Sequence, residues 1–393
     1  MKPFDPENKP QATDETSALS DASAEKRRPL FAGLKAFGLL LPRPAITTVE
    51  DWRAFVNQPP AVRPERISYE DYKRLEPSSR RRYDAQRIQY HASFGPLETP
   101  LLKRFHDDAL RLADVNYRAA PGARPGLVLD GLGSVGKSTI ATQLGRSYER
   151  LLRRKLDLPG ELPNKNRFIP VVYLSLTGNV TIKGFNWQII EYFNVPAVRS
   201  ATEDWLNRQI IRHAKDCGTT MVIVDDIHFL KLGSKNGVTI NNHLKYLASS
   251  ISATFVYAGI NLDGTQLLSE GFSEQSGSSQ TRRRFRRYEV AAYRRDSHDY
   301  KSLLMTFEDS LVLLKQPEKR VSVQLADYIY KRTSGYIGAM SSLLREGANL
   351  AIEQGAECLT TQLLNKVRLD LASEEQLAKE RRPARKDEKR ADS

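Results

Sequence analysis

Leu127-Val-Leu-Asp-Gly131-Leu-Gly-Ser-Val-Gly136-Lys137-Ser138-Thr139 is the stretch that decides the fold. An apolar run leads directly into G-x-x-x-x-G-K-[ST], and residues at helical spacing follow, which is the strand–loop–helix context that a phosphate-binding loop requires. Such a pattern arises by chance in roughly one sequence in a hundred of this length, and that outweighs the bland alternative of a glycine-rich turn with an exposed lysine. Glycines let backbone N–H groups turn toward a phosphate, and the helix that follows adds the partial positive charge of its N-terminus. The nine residues Gly131, Leu132, Gly133, Ser134, Val135, Gly136, Lys137, Ser138 and Thr139 are therefore expected to hold nucleotide phosphates. Lys137 is expected to bridge the β- and γ-phosphates, and the Ser138 hydroxyl to ligate Mg²⁺.

A magnesium–nucleotide site needs a carboxylate at a strand end facing the loop. Thr219-Thr-Met-Val-Ile-Val-Asp225-Asp226 offers a buried-type strand that ends in two acids. Asp225 is expected in the metal shell and Asp226 beside the attacking water. In isolation, such a pair would as readily be a helix N-cap. His228 follows in the same turn and reads as a packing or hydrogen-bonding residue. Phe255-Val-Tyr-Ala-Gly-Ile-Asn261 is a further apolar run ending in an amide, where a plain turn-forming Asn is an equally good account. Thr281 to Tyr288 carries arginine at 282, 283, 284, 286 and 287, which suits a solvated basic loop, an arginine finger for a neighbouring subunit, or a grip on nucleic acid.

Beyond these motifs the apolar runs Leu127–Leu129, Val171–Leu176, Met221–Val224, Phe255–Ala258 and Tyr288–Ala292 predict strands. They alternate with helical stretches that begin near Lys137, Asn186, Thr202 and Asn241. That alternation is the α/β signature and predicts a parallel sheet between helices. On either side the spacing turns helical. Residues 45–120 predict a helical N-terminal region broken at Pro59-Pro60, Pro64, Pro77 and Pro96, residues 121–295 the α/β core, and residues 296–375 a C-terminal helical lid. Residues 1–44 are expected to form a disordered arm, and 376–393 a basic disordered tail.

The chain has 393 residues and a formal net charge of +13, so its surface field favours an anionic partner. Its 40% hydrophobic content excludes wholesale disorder. Two cysteines, Cys217 and Cys358, provide neither a disulfide framework nor a Cys-type zinc site. Phe31–Leu41 is about half the roughly 20 residues needed to span a bilayer and includes Lys35, so no membrane association is expected. Without a signal-peptide pattern, the expected location is the cytoplasm.

The ordered set of phosphate loop, acid-ended strand, Asn-ended strand, Arg-Arg-Phe before a fifth strand and helical lid resembles an AAA+ ATPase. Within that class the chain resembles the TniB family of transposition ATPases, relatives of TnsC and MuB. The resemblance rests on Arg87-Ile-Gln-Tyr-His91, Leu97-Glu-Thr-Pro100, the strand Ile169–Leu176 followed by a Trp- and Ile-rich helix and Val195-Pro196, and the lid segment Ser334–Gly355. It implies ATP on Gly131–Thr139, Mg²⁺ on Ser138 and Asp225, Asp226 as the catalytic acid, Asn261 as a sensor, and Arg284, ahead of Arg283, as the finger. Two departures stand out. The catalytic acid is usually Glu, and the lid opening Gly335-Tyr-Ile-Gly338 lacks the arginine many AAA+ lids carry there, with Arg345 a weak substitute. The resemblance further implies homo-oligomeric rings or filaments on double-stranded DNA, contacted through Lys183, Lys231 and Lys235 without strong sequence preference, a DDE-type transposase as partner, and a bacterial, nucleoid-associated setting. Two alternatives share the nucleotide chemistry: an initiator-like or defence-signalling AAA+ switch without a transposase, and a P-loop phosphotransferase.

Overall fold

The computed structural model describes residues 45–120, 122–156, 168–196, 200–230, 237–262 and 284–381. Among the described residues four helices come first: α1 (Val49–Asn57), α2 (Tyr69–Arg74), α3 (Pro77–Ser93) and α4 (Pro100–Arg118). Their starts follow from side-chain caps. Thr48 and Asp51 form a reciprocal capping box at α1, and the Thr99 hydroxyl accepts from Leu102 N–H where Pro100 opens α4.

Five parallel strands follow: β1 (Gly126–Asp130), β2 (Val171–Ser175), β3 (Met221–Asp225), β4 (Thr254–Gly259) and β5 (Phe285–Glu289), in the spatial order β2-β3-β4-β1-β5. The crossovers are made by α5 (Lys137–Lys155), α6 (Ile182–Tyr192), α7 (Glu203–Asp216) and α8 (Gly237–Ile251). β1, β3 and β4 are buried along their whole length, which is why each is a continuous apolar run rather than an alternating one. Because β4 lies between β1 and β3, the ends of all three strands open on the same edge of the sheet. The expected parallel sheet between helices is the observed one.

Two helix starts and one strand differ from expectation. α6 begins at Ile182 rather than near Asn186, because Thr181 caps it by accepting from Gly184 N–H at 3.1 Å. α8 begins at Gly237 rather than near Asn241. The fifth strand forms at 285–289 and not over the apolar run 288–292, in register from Gly126↔Phe285 to Asp130↔Glu289. As an edge strand it has little need of aliphatic residues. Phe285 closes over Gly126, where an added Cβ would lie 2.8 Å from its ring, and Tyr288 stands edge-on to Phe105 with ring centres 5.0 Å apart. The basic-loop expectation for this stretch also gives way, since Arg286 and Arg287 lie in β5 and pair with Asp108 (2.9 Å) and Asp130 (2.7 Å).

The lid comprises α9 (His298–Ser310), α10 (Ala326–Thr333), α11 (Ile337–Glu353) and α12 (Thr361–Leu364). α13 (Leu371–Arg381) continues the helical structure into the stretch expected to be a basic tail. Apolar side chains form two clusters, one around the sheet and one within the lid. α1 belongs to the first. Trp52 is fully buried, stacks on Tyr173 at 5.5 Å, fills the space left by Gly145 and donates from its indole N–H to Glu149 at 2.7 Å. Arg153 holds the same carboxylate, so the buried charge is paired. Trp52→Ala should lower stability by about 3–5 kcal/mol in urea unfolding, through the cavity and the lost donor; a loss below about 1 kcal/mol would contradict the placement of α1 in the core.

Candidate functional site

The phosphate loop leaves β1 at Gly131, which has no room for a side chain: a Cβ there would lie 2.0 Å from the Val290 carbonyl oxygen. Ser134 and Gly136 then adopt left-handed backbone (φ 59° and 95°), and α5 starts at Lys137. Ser138 and Thr139 are exposed at its first turn. Lys137 is buried, and its ammonium donates to the carbonyls of Gly131 (3.0 Å) and Leu132 (2.5 Å). Burial pulls its pKa down, and the facing Asp225, Asp226 and Asp130 oppose that shift.

At the end of β3, Asp225 is buried. Its Oδ2 accepts from the Tyr173 hydroxyl at 3.0 Å and its Oδ1 from Asp226 N–H at 3.0 Å. Burial, and then the neighbouring Asp225, push the Tyr173 hydroxyl far above the usual phenol range, so it remains a donor. Asp226 sits on a left-handed backbone (φ 54°) and is half-buried. Its pKa is raised, first by desolvation and then by the negative charge of Asp225. His228 accepts from Ile260 N–H through Nδ1 at 3.4 Å, the hydrogen-bonding role expected of it.

Of these groups, Ser134, Gly136, Lys137, Ser138, Thr139 and Asp226 border a cavity of about 710 Å³. The loop from Gly133 to Ile140 and Asp226 form its floor. The segments Pro96–Leu102 and Val290–Arg294 form its flanks, and Ile337, Gly338, Ser341 and Arg345 of the lid its roof. Asn261 stands on an exposed left-handed turn after β4, and its neighbour Ile260 lines the cavity instead. Arg345 also lines the cavity, but its guanidinium donates to the Phe94 carbonyl at 2.5 Å and lies over the Phe94 ring. Arg284 lies at the amino end of β5, level with the start of β1. At about 3.3 Å per residue that is roughly 15 Å from the phosphate loop of its own chain, beyond an arginine's reach. Lys183 is exposed, in the first turn of α6 rather than on a loop. Lys231, Lys235 and Arg283 lie outside the described residues.

The site also uses residues with no motif signature. Asp130 closes β1: its Oδ1 accepts from Leu262 N–H (2.9 Å), and Arg287 grips its Oδ2 (2.7 Å), so one carboxylate fixes the ends of β4 and β5 beside the loop. Gly338 N–H at the start of α11 donates to the Ser134 carbonyl at 3.1 Å, joining lid to loop. An acid directly before the first loop glycine was the one available sequence signal for Asp130. The Gly338 contact is a backbone bond and has no side-chain signature.

The raised Asp226 pKa has a stability consequence. Because the folded state holds this proton more tightly than the unfolded chain, wild-type stability falls as pH rises through the Asp226 titration. Asp226→Asn should therefore raise the melting temperature at pH 7, with the gain fading as the pH falls through the raised Asp226 titration and gone below the ordinary carboxylate value of 3.8. An equal or lower melting temperature for the variant at neutral pH would contradict the like-charge contact.

Comparison with known proteins places the fold. The ORC2 protein of Aeropyrum pernix aligns at 13% identity over 72% of this chain and 71% of its own, with TM-score 0.52. The ORC1 protein of Aeropyrum pernix, solved in complex with DNA, aligns at 14% over 70% and 66%, with TM-score 0.51. Cdc6p of Pyrobaculum aerophilum aligns at 15% over 69% and 67%, with TM-score 0.50. No curated protein matches the chain. Residues 107–294, which include the phosphate loop and all five strands, match the family model described as Bacterial TniB protein, on the fold of the AAA+ P-loop ATPases.

Proposed function

We propose that this protein is an ATP-dependent switch that binds and hydrolyses ATP, assembles on double-stranded DNA, and serves DNA transposition by selecting the target and activating a DDE-type transposase. The observation that carries this is the convergence of Lys137, Ser138 and Asp226 on one cavity, with the buried Asp225 close enough to act on the Lys137 charge. The amides of the loop and the N-terminus of α5 suit phosphate, and Lys137 exchanges its contacts with Gly131 and Leu132 carbonyls for phosphate oxygens. The Mg²⁺ that accompanies ATP is matched by a hydroxyl at Ser138 and a carboxylate at Asp225, both hard oxygen donors. Among the described residues no group of three or more His, Cys, Asp or Glu forms a protein-only metal cage, which agrees with an ion shared with the phosphates. When bound, Mg²⁺ supplies charge neutralisation at those phosphates.

Asp226, its proton affinity raised, is placed to accept a proton from the attacking water. One methylene shorter than the usual Glu, it holds the water less closely, so turnover is expected to be slow. Arg284 cannot reach its own phosphate loop and completes the site of a neighbouring copy, so hydrolysis depends on assembly. Asn261 takes a sensor role only by turning in from its exposed position.

For DNA, Val180 and Leu230 form a parallel bridge, so the chain leaves β2 and β3 at one corner of the sheet. Lys183 follows Val180 in sequence, and Lys231 and Lys235 follow Leu230. Lysines grip phosphate without reading bases, giving steep salt dependence and little sequence preference. Similarity of fold to ORC1, solved with DNA, and the TniB family match support a nucleic-acid setting. Among the described residues no helix is long and apolar enough to cross a membrane.

Lys137→Ala should weaken ATP binding by about 10- to 100-fold, matching roughly 1.5–3 kcal/mol of charge-assisted hydrogen bonding. In a binding assay on mixed-sequence duplex with a non-hydrolysable ATP analogue, it should also abolish the nucleotide-dependent gain in affinity. Unchanged nucleotide-dependent DNA binding by the variant would overturn the proposed coupling.

A further inference from the structure

The chain crosses between core and lid three times. α1 and α4 pack in the sheet cluster through Trp52, Val56, Phe105 and Leu112, whereas Tyr90 and Phe94 at the end of α3 belong to the lid cluster. Along the sequence the order is therefore core, lid, core, lid. Polar contacts repeat the division. Arg87 forms a two-pronged pair with Glu357, at 2.6 and 2.8 Å, and both side chains are fully buried. Its second nitrogen also holds Asp84 at 2.6 Å. His91 accepts from Val312 N–H through Nε2 at 3.0 Å, with Nδ1 facing Asn349 Oδ1 at 3.3 Å. Burial lowers the His91 pKa to about 4, so at neutral pH it keeps the uncharged form this arrangement needs. Arg66 donates to the Gln316 carbonyl, Lys315 lies 3.8 Å from the Tyr69 ring centre, and Arg345 caps the Phe94 carbonyl. Among the described residues, and apart from the Tyr83 hydroxyl on the Glu65 carbonyl just before the segment, the hydrogen bonds and ion pairs that leave 66–94 end on the lid.

Three segments then join lid to core: 58–65, which runs from Gln58 on the core to Arg66 on the lid, and the two tethers 94–99 and 290–297. Pro96, Leu97 and Thr99 of 94–99 and Val290–Arg294 of 290–297 line the 710 Å³ cavity. Thr99 hydrogen-bonds the Tyr293 hydroxyl, bracing one tether against the other. A lid that shifts against the core must bend at all three, and whatever fills the cavity pushes on the two that line it.

We infer that residues 66–94 are part of the lid and move with it as one body on these three segments, so that nucleotide in the cavity repositions the α2–α3 surface. This rests on the cavity being the nucleotide site. It makes α2–α3 the face that reports nucleotide state to a partner, through the rigid Arg87–Glu357 link rather than through a lid arginine on the phosphates.

The test is electron–electron double resonance on the full chain, with spin labels on keto-bearing residues replacing the exposed Arg81 (α3), Arg111 (α4) and Glu353 (α11), so that Cys217 and Cys358 remain native. Calorimetry on the same samples reports whether the ATP analogue binds. With the analogue bound, the 111–353 and 81–111 distances should shift together while 81–353 stays fixed. A shift in 81–353 with 81–111 unchanged would place α3 on the core and overturn the inference, as would bound analogue with no shift in either core distance. If calorimetry finds no binding, the nucleotide-site assignment itself falls, and the transmission falls with it.

Discussion

The phosphate loop is gripped from both sides, and the arrangement of core, lid and cavity follows from that grip. On the core side Gly131 presses on the Val290 carbonyl so closely that only a hydrogen fits. On the lid side the Ser134 carbonyl accepts from Gly338 N–H, and an added Cβ at Gly338 would lie 3.0 Å from that oxygen. Val290 also begins one tether to the lid and donates its own N–H to the Asp130 carbonyl at 2.7 Å. A change in loop geometry is therefore felt at once by strand end, tether and lid helix. Backbone groups make all of these contacts, which lets the loop keep its N–H groups available for an anion.

Electrostatics set the resting state of the cavity. Lys137 is costly to bury and is offset by loop carbonyls and by three facing acids, while Asp226 bears a like-charge penalty from Asp225. Under the proposed function each imbalance would be relieved by a polyanion arriving with a divalent cation, since phosphate would complete the lysine's partners and the cation offset the acids. Elsewhere the buried charges are already matched, as in Glu149 with Arg153 and Trp52, and Arg87 with Glu357. The Lys137 and Asp226 imbalances lie at the edge of the sheet where the strands end, as expected of a site that gives up some stability for function.

Most of the fold was legible in the sequence because buried parallel strands must be apolar along their length and because the loop tolerates few residue types. β1 to β4 and the start of α5 follow from those two constraints. The fifth strand did not, because an edge strand is held by Phe285 over Gly126 and by Arg287 on Asp130 rather than by aliphatic content. The start of α6 depended on Thr181 as a cap, a local bond that outweighs the apolar spacing from Asn186 onward. At the site, Lys137, Ser138 and Asp225–Asp226 were legible as motifs, whereas Asp130 and Gly338 act through long-range backbone contacts. The N-terminal helices carry the clearest lesson. Their spacing predicts one helical region, yet packing divides it, because Arg87 and His91 find partners more than 200 residues away in the lid.

The most direct test of the account is an experimental structure of the protein with a non-hydrolysable ATP analogue and duplex DNA, determined by electron microscopy. The account predicts nucleotide-dependent assemblies on the duplex in which the triphosphate lies on the amides of Ser134–Ser138. The Lys137 ammonium should have moved from the Gly131 and Leu132 carbonyls to the phosphates. Nucleotide bound elsewhere, Lys137 still on its own loop, or free monomers with and without nucleotide would contradict it.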